Sequence, residues 1–384
     1  MHVVQISFFV DPERRPPSRL LEDWFALADV AQAVASAGAK VTVVQASMET
    51  GRIERSGVTY HFVAPDRKRR LLTTTVRFRA LLHDLSADVY HVHGLGFAQE
   101  VMGLRDLSPR VPILLQDHAD RLPRVWKRGA WRRAFAAAAG LSFCARAQAE
   151  PFQRAGLLGR DVPVFEIPES TSSFMPGDQA RARAATGLRG NPAVLWVGHL
   201  NRNKDPLTVL DGIGQTAREL PDLQLWCCYG SAPLLPAVRN RIERDPELLN
   251  RVHLLGRVPH DRIELLMQAA DLFVLGSHRE GSSFSLIEAL ATGLTPVAAD
   301  IPSVRVLSDN GTIGRLWQPG NSAALVEALR VAAAGLGPTE RTRVRSDFEA
   351  RLSSTAIGRR FVAAYGRLAR ADATADTGTE PAWR

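Results

Sequence analysis

Leu272-Phe273-Val274-Leu275, followed at once by Arg279-Glu280-Gly281-Ser282-Ser283-Phe284-Ser285-Leu286-Ile287-Glu288-Ala289-Leu290-Ala291-Thr292-Gly293, reads as a buried strand, a loop and a helix in succession. Open α/β sheets bind their ligands at the C-terminal ends of the strands, where this loop falls. Gly281, Ser282 and Ser283 would put backbone N–H groups at a helix N-terminus, a ready phosphate site. Glu280 in the loop and Glu288 one turn into the helix are eight residues apart, and two carboxylates so placed can hold sugar hydroxyls. Taken singly, Glu280 reads as an exposed loop charge and Glu288 as an ordinary helix acid. The whole arrangement reads as a site.

Working outward, short apolar runs rich in β-branched residues recur along the chain. In the first half they occupy residues 3–10, 41–46, 58–63, 89–92, 113–115, 141–144 and 164–167, and in the second 193–197, 223–228, 252–255, 272–275 and 295–299. Each reads as a strand buried on both faces of a parallel sheet, with helices between. Residues 18–37 show helical spacing through Leu20, Leu21, Trp24, Leu27, Ala28 and Ala31, with Ser18 as N-cap and Gly38 as C-cap. After Pro168 the chain turns polar and irregular through Pro176-Gly177-Asp178, as an interdomain connection does. The alternation thus happens twice, predicting two α/β units, each a doubly wound sheet: residues 1–170, residues 171–370 (its last helix able to pack back on the first), and a loose tail over 371–384. No G-x-G-x-x-G follows the first strand, which argues against a nicotinamide enzyme.

The length, 384 residues, suits two domains, and 45% hydrophobic with 23% charged residues is a globular balance. Cys144, Cys227 and Cys228 form neither a disulfide framework nor a zinc-ligand spacing. The first ten residues are apolar but lack a basic start, and Asp11 interrupts them too early for a signal peptide. No run approaches the ~20 apolar residues of a membrane span. The expectation is a cytoplasmic protein. A net charge of +8 calls for an anionic partner: nucleic acid, acidic membrane or phosphorylated substrate.

Glu280-x7-Glu288, continued by Ala-Leu-Ala-Thr-Gly293-Leu-Thr-Pro296-Val297, resembles the signature of retaining glycosyltransferase family four. Gly198-His199-Leu200-x-x-x-Lys204-Asp205-Pro206, residues 223–230, Gly256-Arg257-Val258-Pro259, Ala270-Asp271-Leu272-Phe273-Val274 and Gly311-x-x-Gly314-x-Leu316 through Pro319-Gly320-Asn321 follow in the family's order. The resemblance covers nearly all of the second half and is weaker in the first. It implies the GT-B fold, two Rossmann-like doubly wound domains facing a central cleft, with no cofactor. It further implies a nucleotide-diphosphate sugar donor, UDP- or GDP-linked, and an acceptor hydroxyl on a glycan, lipid or small molecule.

Carried over residue by residue, the resemblance assigns Lys204 to the diphosphate, helped by the backbone of Gly281 and of Ser283, Phe284 and Ser285. Charge growing on the departing phosphate oxygens needs such cations and N–H donors. Glu288 would hold the ribose, Glu280 the transferred sugar, and the backbone near Arg257 and Val258 the base. In the first half, Asp88-Val89-Tyr90-His91-Val92-His93-Gly94 and the following Gln116-Asp117-His118 resemble two family segments. They imply that His118 meets the donor sugar or diphosphate, while His91 and His93 support the loop or line the acceptor side. Two departures stand out. His199 replaces the usual arginine, leaving Arg202 as a substitute phosphate contact, and the first loop has Phe9-Val10-Asp11-Pro12 with Arg14-Arg15 in place of a Gly-Gly pair, so those arginines are left to serve instead.

No Asp-x-Asp tripeptide occurs, so no catalytic metal is expected, and Asp117, His118 and Asp120 are too close in sequence to share one ion. Arg67-Lys68-Arg69-Arg70 is a compact cationic run. Residues 124–133 carry Arg124, Lys127, Arg128, Arg132 and Arg133 with Trp126 and Trp131. As one helix, Arg124, Arg128, Trp131 and Phe135 fall near one face, which suits peripheral contact with the inner face of an anionic membrane and equally a solvated helix with buried tryptophans. No nucleic-acid-binding motif is recognisable, so nucleic acid is not the expected partner. Two other readings fit the sequence: a nucleotide-sugar epimerase of the same architecture, and a non-catalytic basic scaffold binding membrane or nucleic acid.

Overall fold

The computed structural model describes residues 1–23, 25–65 and 71–376. The cationic run at 67–70, Trp24 and residues 377–384 lie outside those described. The chain divides into two compact units, Met1–Ser170 with Ser354–Arg384, and Thr171–Ser353.

In the first unit the described strands are β1 (His2–Ser7), β2 (Lys40–Ala46), β3 (Gly51–Arg55), β4 (Val58–Val63), β5 (Val89–His93), β6 (Ile113–Gln116), β7 (Gly140–Phe143) and β8 (Val164–Glu166). They form one sheet in the order β3-β4-β2-β1-β5-β6-β7-β8. All neighbours run parallel except β3, which is antiparallel to β4. The apolar runs become the central strands because both their faces are covered: Val3, Val43, Val89 and Leu114 meet Val30, Val34, Phe361 and Tyr365 on one side, and Val4, Val44, Val92 and Leu115 meet Phe78, Leu104 and Phe135 on the other. β3 was not expected. Its residues Gly-Arg-Ile-Glu-Arg are mostly exposed, so it carries no apolar run to announce it.

The segment read as one helix is two, Pro17–Asp23 and Phe25–Ser36. Ser18 lies inside the first turn after Pro17 rather than capping it, since proline suits the first helical position. Gly38 follows the second helix with φ +95°. The final helix, Ser354–Asp376, extends into the segment expected to be a loose tail and packs on Phe25–Ser36. A Cβ on its Gly358 would overlap the Ala33 carbonyl oxygen, so the two helices meet where a side chain is missing.

In the second unit β9 (Ala193–Gly198), β10 (Gln224–Tyr229), β11 (Val252–Gly256), β12 (Leu272–Leu275), β13 (Thr295–Ala299) and β14 (Arg315–Trp317) form a parallel sheet ordered β11-β10-β9-β12-β13-β14. Val194, Trp196, Leu225, Val274 and Val297 pack against Leu210, Ile213, Leu325 and Leu329 of the flanking helices. β14, three residues at the sheet edge, is too short to register as an apolar run.

Strand order reverses direction once in each sheet, between β1 and β5 in the first unit and between β9 and β12 in the second. At such a switch point the loops leaving two neighbouring strands diverge to opposite faces and open a crevice.

Candidate functional site

In the second unit the switch-point loops are residues 199–205 after β9 and 276–283 after β12. They are tied together at four places. The His278 N–H donates to the Asn203 carbonyl at 2.8 Å, and Asn203 Nδ2 donates to the Arg279 carbonyl at 2.9 Å. His278 Nε2 lies 3.0 Å from Asp205 Oδ2, and Lys204 Nζ lies 2.5 Å from Glu280 Oε1. Gly276 allows this approach, because a Cβ there would stand 2.9 Å from the Lys204 carbonyl oxygen. Asp205, in the left-handed conformation at φ 49°, caps helix Pro206–Thr216 by accepting from the Thr208 N–H. The turn that ends the loop thereby fixes Lys204. Two residues separated by 76 positions are brought into one ion pair, and both side chains are only about 15% exposed (15% and 13%).

The loop after β12 runs into helix Phe284–Ala291, with Ser283 at its N-cap. Ser283 is buried, yet its hydroxyl caps no backbone N–H and has no partner. An N-cap hydroxyl ordinarily takes the N2 or N3 N–H, so the start of this helix keeps a polar group uncommitted beside the loop. Gly281 and Ser282 are buried, and Phe284 and Ser285 half-buried. Glu288 is buried, with Oε1 2.6 Å from His260 Nε2. His260 opens helix His260–Ala269, directly after the Arg257-Val258-Pro259 loop that follows β11, and its ring lies 4.7 Å from that of Phe174. Arg257 is exposed and Val258 half-buried.

His199 is exposed at the end of β9, and its Nδ1 accepts the Ser231 N–H at 3.1 Å. Nδ1 therefore carries no proton, and the ring offers an Nε2–H donor rather than a cation while that bond holds. Arg202 is exposed in the same loop.

In the first unit, His93 ends β5 and His118 follows β6, and the structure joins them: His93 Nδ1 lies 3.1 Å from His118 Nε2. The other nitrogen of His118 is 2.5 Å from Glu169, and that of His93 is 3.2 Å from Gln5 Oε1. His91 is fully enclosed, with Nδ1 2.8 Å from the Tyr365 hydroxyl, and burial pulls its pKa down to about 3. Asp117 accepts the N–H groups of Ala119 and Asp120, and Asp120 accepts those of Leu95 and His118. These carboxylates shape the loop. Burial, reinforced by Asp120 and Glu169, pushes Asp117 up to about 7. Among the described residues no group of three or more His, Cys, Asp or Glu is arranged to hold a metal. In the first loop Arg15 is committed to Asp11 through Nε at 2.9 Å and Nη2 at 3.0 Å, which holds Asp11 down to about 2. That pairing leaves Arg14 as the exposed arginine there.

The basic stretch is not one helix. A 3-10 turn at Val125–Lys127 precedes helix Arg128–Ala137, and Trp131 and Phe135 point into the core, where Trp131 stacks on Phe152. The exposed apolar groups lie ahead of the helix instead: Val125 and Trp126 are 72% and 73% exposed, with the Arg124 guanidinium over the Trp126 ring.

Glu280, Glu288, Lys204 and Ser283 thus gather on the second unit's switch point, and His93 with His118 on the first. Glu169, His260 and His278 were not read from the sequence. His260 and His278 adjoin motif residues and could have been found from that adjacency, whereas Glu169 sits in a stretch read only as a connection.

Comparison with solved structures gives the fold. Anabaena HepE in complex with UDP aligns with a TM-score of 0.71 at 18% identity, over 96% of this chain and 100% of that one. The chain has the GT-B fold, two parallel-sheet α/β units. Residues 191–334 match the family model described as Glycosyl transferases group 1. A D-inositol 3-phosphate glycosyltransferase from Nocardia farcinica is 30% identical over 176 residues, 44% of this chain but only 38% of that protein. A GDP-mannose:cellobiosyl-diphosphopolyprenol alpha-mannosyltransferase from Xanthomonas campestris is 24% identical over 73% of this chain and 70% of its own length.

Proposed function

We propose that this chain is a retaining, metal-independent glycosyltransferase that moves a sugar from a nucleotide-diphosphate sugar to an acceptor hydroxyl. The observation that carries the reading is the Lys204–Glu280 pair at the second unit's switch point, beside the uncommitted N-cap of Ser283 and the buried Glu288. The ammonium and the carboxylate of this pair neutralise each other. A diphosphate carries more negative charge than one carboxylate and draws Lys204 to itself, which frees Glu280 for hydroxyls of the transferred sugar. Glu288, steadied by His260, takes the ribose, and the loop of Arg257 and Val258 takes the base. His199 adds a neutral N–H donor and Arg202 a charge. No carboxylate stands out as a covalent nucleophile, so the leaving phosphate itself accepts the acceptor's proton, the route consistent with retention. The lack of an Asp-x-Asp pair supports operation without a metal.

The relatives' names support a nucleotide-sugar donor, and HepE holds UDP. The exposed Val125 and Trp126 among Arg124, Lys127 and Arg128 support contact with an anionic membrane and hence a lipid-linked acceptor. Among the described residues no helix is long and apolar enough to cross a membrane. The test is a panel of UDP- and GDP-sugars, followed for diphosphate release with and without EDTA. Release that survives EDTA is expected. Dependence on added Mg²⁺ or Mn²⁺ contradicts the metal-free mechanism, and interconversion of the donor without diphosphate release identifies an epimerase.

A further inference from the structure

The hydrogen bonds around His118 determine its protonation. Gln5 Oε1 is a carbonyl oxygen and only accepts, so the bond at 3.2 Å requires a hydrogen on His93 Nε2. His93 is buried, stacked on His91 at 4.5 Å, and its burial, with the imidazoles of His91 and His118, holds its pKa well below the ordinary histidine value. A neutral ring with hydrogen on Nε2 has its lone pair on Nδ1. His93 Nδ1 is therefore the acceptor in the 3.1 Å contact, and His118 Nε2 the donor. On its other side His118 Nδ1 lies 2.5 Å from Glu169, and a carboxylate also only accepts. Both ring nitrogens of His118 then carry hydrogen.

We infer that Glu169 is a positioning residue that holds His118 as an imidazolium, so that His118 serves an anionic substrate group as a fixed charge and not as a proton acceptor. The groups facing this ring agree in sign. Glu169 is buried just beyond β8, the imidazoles of His93 and His91 on β5 are held neutral by burial, and Asp120 and Asp117 in the ring's own loop add to the field of Glu169. Burial disfavours the charge, and the charge and hydrogen bond of Glu169 together with Asp120 and Asp117 outweigh it, so that the pKa of His118 is raised. Because both N–H groups are spent on Glu169 and His93, the ring has no lone pair with which to take a proton from an acceptor hydroxyl. The protonation state stands on these bonds together with the carboxylates around the ring; only the identity of the anion, a substrate phosphate, rests on the transferase reading.

The experiment is long-range ¹H–¹⁵N NMR of the full chain labelled at histidine nitrogens, with His118 assigned from the signals lost in His118→Gln. At pH 7.5 both His118 nitrogens should show protonated-type shifts. In Glu169→Gln one should move to the unprotonated value, with the midpoint falling about one pH unit or more, a roughly tenfold loss of proton affinity. Glu169→Asp, which keeps the charge, should restore the protonated pattern and serves if the glutamine variant does not fold. An unprotonated His118 nitrogen in the native chain, or a midpoint unmoved in Glu169→Gln, overturns the inference. With an active donor, the pH–rate profile of Glu169→Gln should lose its alkaline arm at lower pH than the native profile, whereas a purely structural Glu169 would lower the rate at every pH alike. Failure of every donor would defeat the transferase reading and leave the NMR result standing.

Discussion

Glu280 and Asp117 are each placed so that one substitution has a signed outcome. Glu280 is ion-paired to Lys204. Glu280→Gln should therefore bind a free nucleoside diphosphate more tightly than the native chain, by several-fold, while losing turnover, because an interaction strongest in the transition state acts on kcat. Calorimetry beside steady-state rates reads both; weaker nucleotide binding would contradict the assignment. Asp117 has its carboxyl pushed from 3.8 up to about 7, so the folded chain holds a proton that the unfolded chain has lost, and its contribution to stability disappears as pH rises through 7. His91, lowered from 6.5 to about 3, has the opposite sign: its contribution is present above 6.5 and is lost as pH falls. Between pH 3.8 and 6.5 the two slopes oppose each other. Asp117→Asn should remove the opposing slope, so that the rise of stability with pH in this window, to which His91 and His93 both contribute, steepens by up to about 1.4 kcal/mol per pH unit. Urea unfolding at two pH values checks it, and a variant with the native pH dependence would show that Asp117 is not held protonated.

Elements were legible in the sequence where both faces are buried. The central strands of both sheets declare themselves through Val, Ile and Leu runs, whereas β3 is polar and β14 has three residues, so edge position hid them. Helix ends were harder: Ser18 looks like a cap, but Pro17 claims the first turn. The basic stretch shows why a face cannot be assigned from spacing alone. Trp131, six residues before Ala137, is buried and stacked on Phe152, whereas Trp126 lies in the 3-10 turn ahead of the helix and is exposed. Membrane contact, if this turn makes it, should depend on Trp126 and Val125 rather than on Trp131. Trp126→Ala with Val125→Ser should reduce co-sedimentation with vesicles rich in anionic phospholipid by severalfold and leave the fold unaltered by circular dichroism. Unchanged sedimentation would remove the turn from the membrane.

At the scale of the whole molecule, the doubled alternation of strands and helices made the two-sheet GT-B architecture readable, because each βαβ repeat carries its own hydrophobic pattern. The site was readable in part. Lys204, Glu280 and Glu288 stand in segments whose residue types and order resemble a family pattern, so they could be named before any geometry. Glu169 and His260 could not, since each matters only through a partner 51 or 28 positions away, and such pairing is written in the packing of the loops. The central claim, that the second unit's switch point receives a nucleoside diphosphate through Lys204, is tested most directly by titrating UDP and GDP calorimetrically into the native chain and Lys204→Ala. Losing a charge-assisted phosphate contact should cost about 1.5–3 kcal/mol, roughly a 10- to 150-fold weaker affinity for the nucleotide the native chain binds. Equal affinity in the two proteins, or no binding of either nucleotide to the native chain, would contradict it.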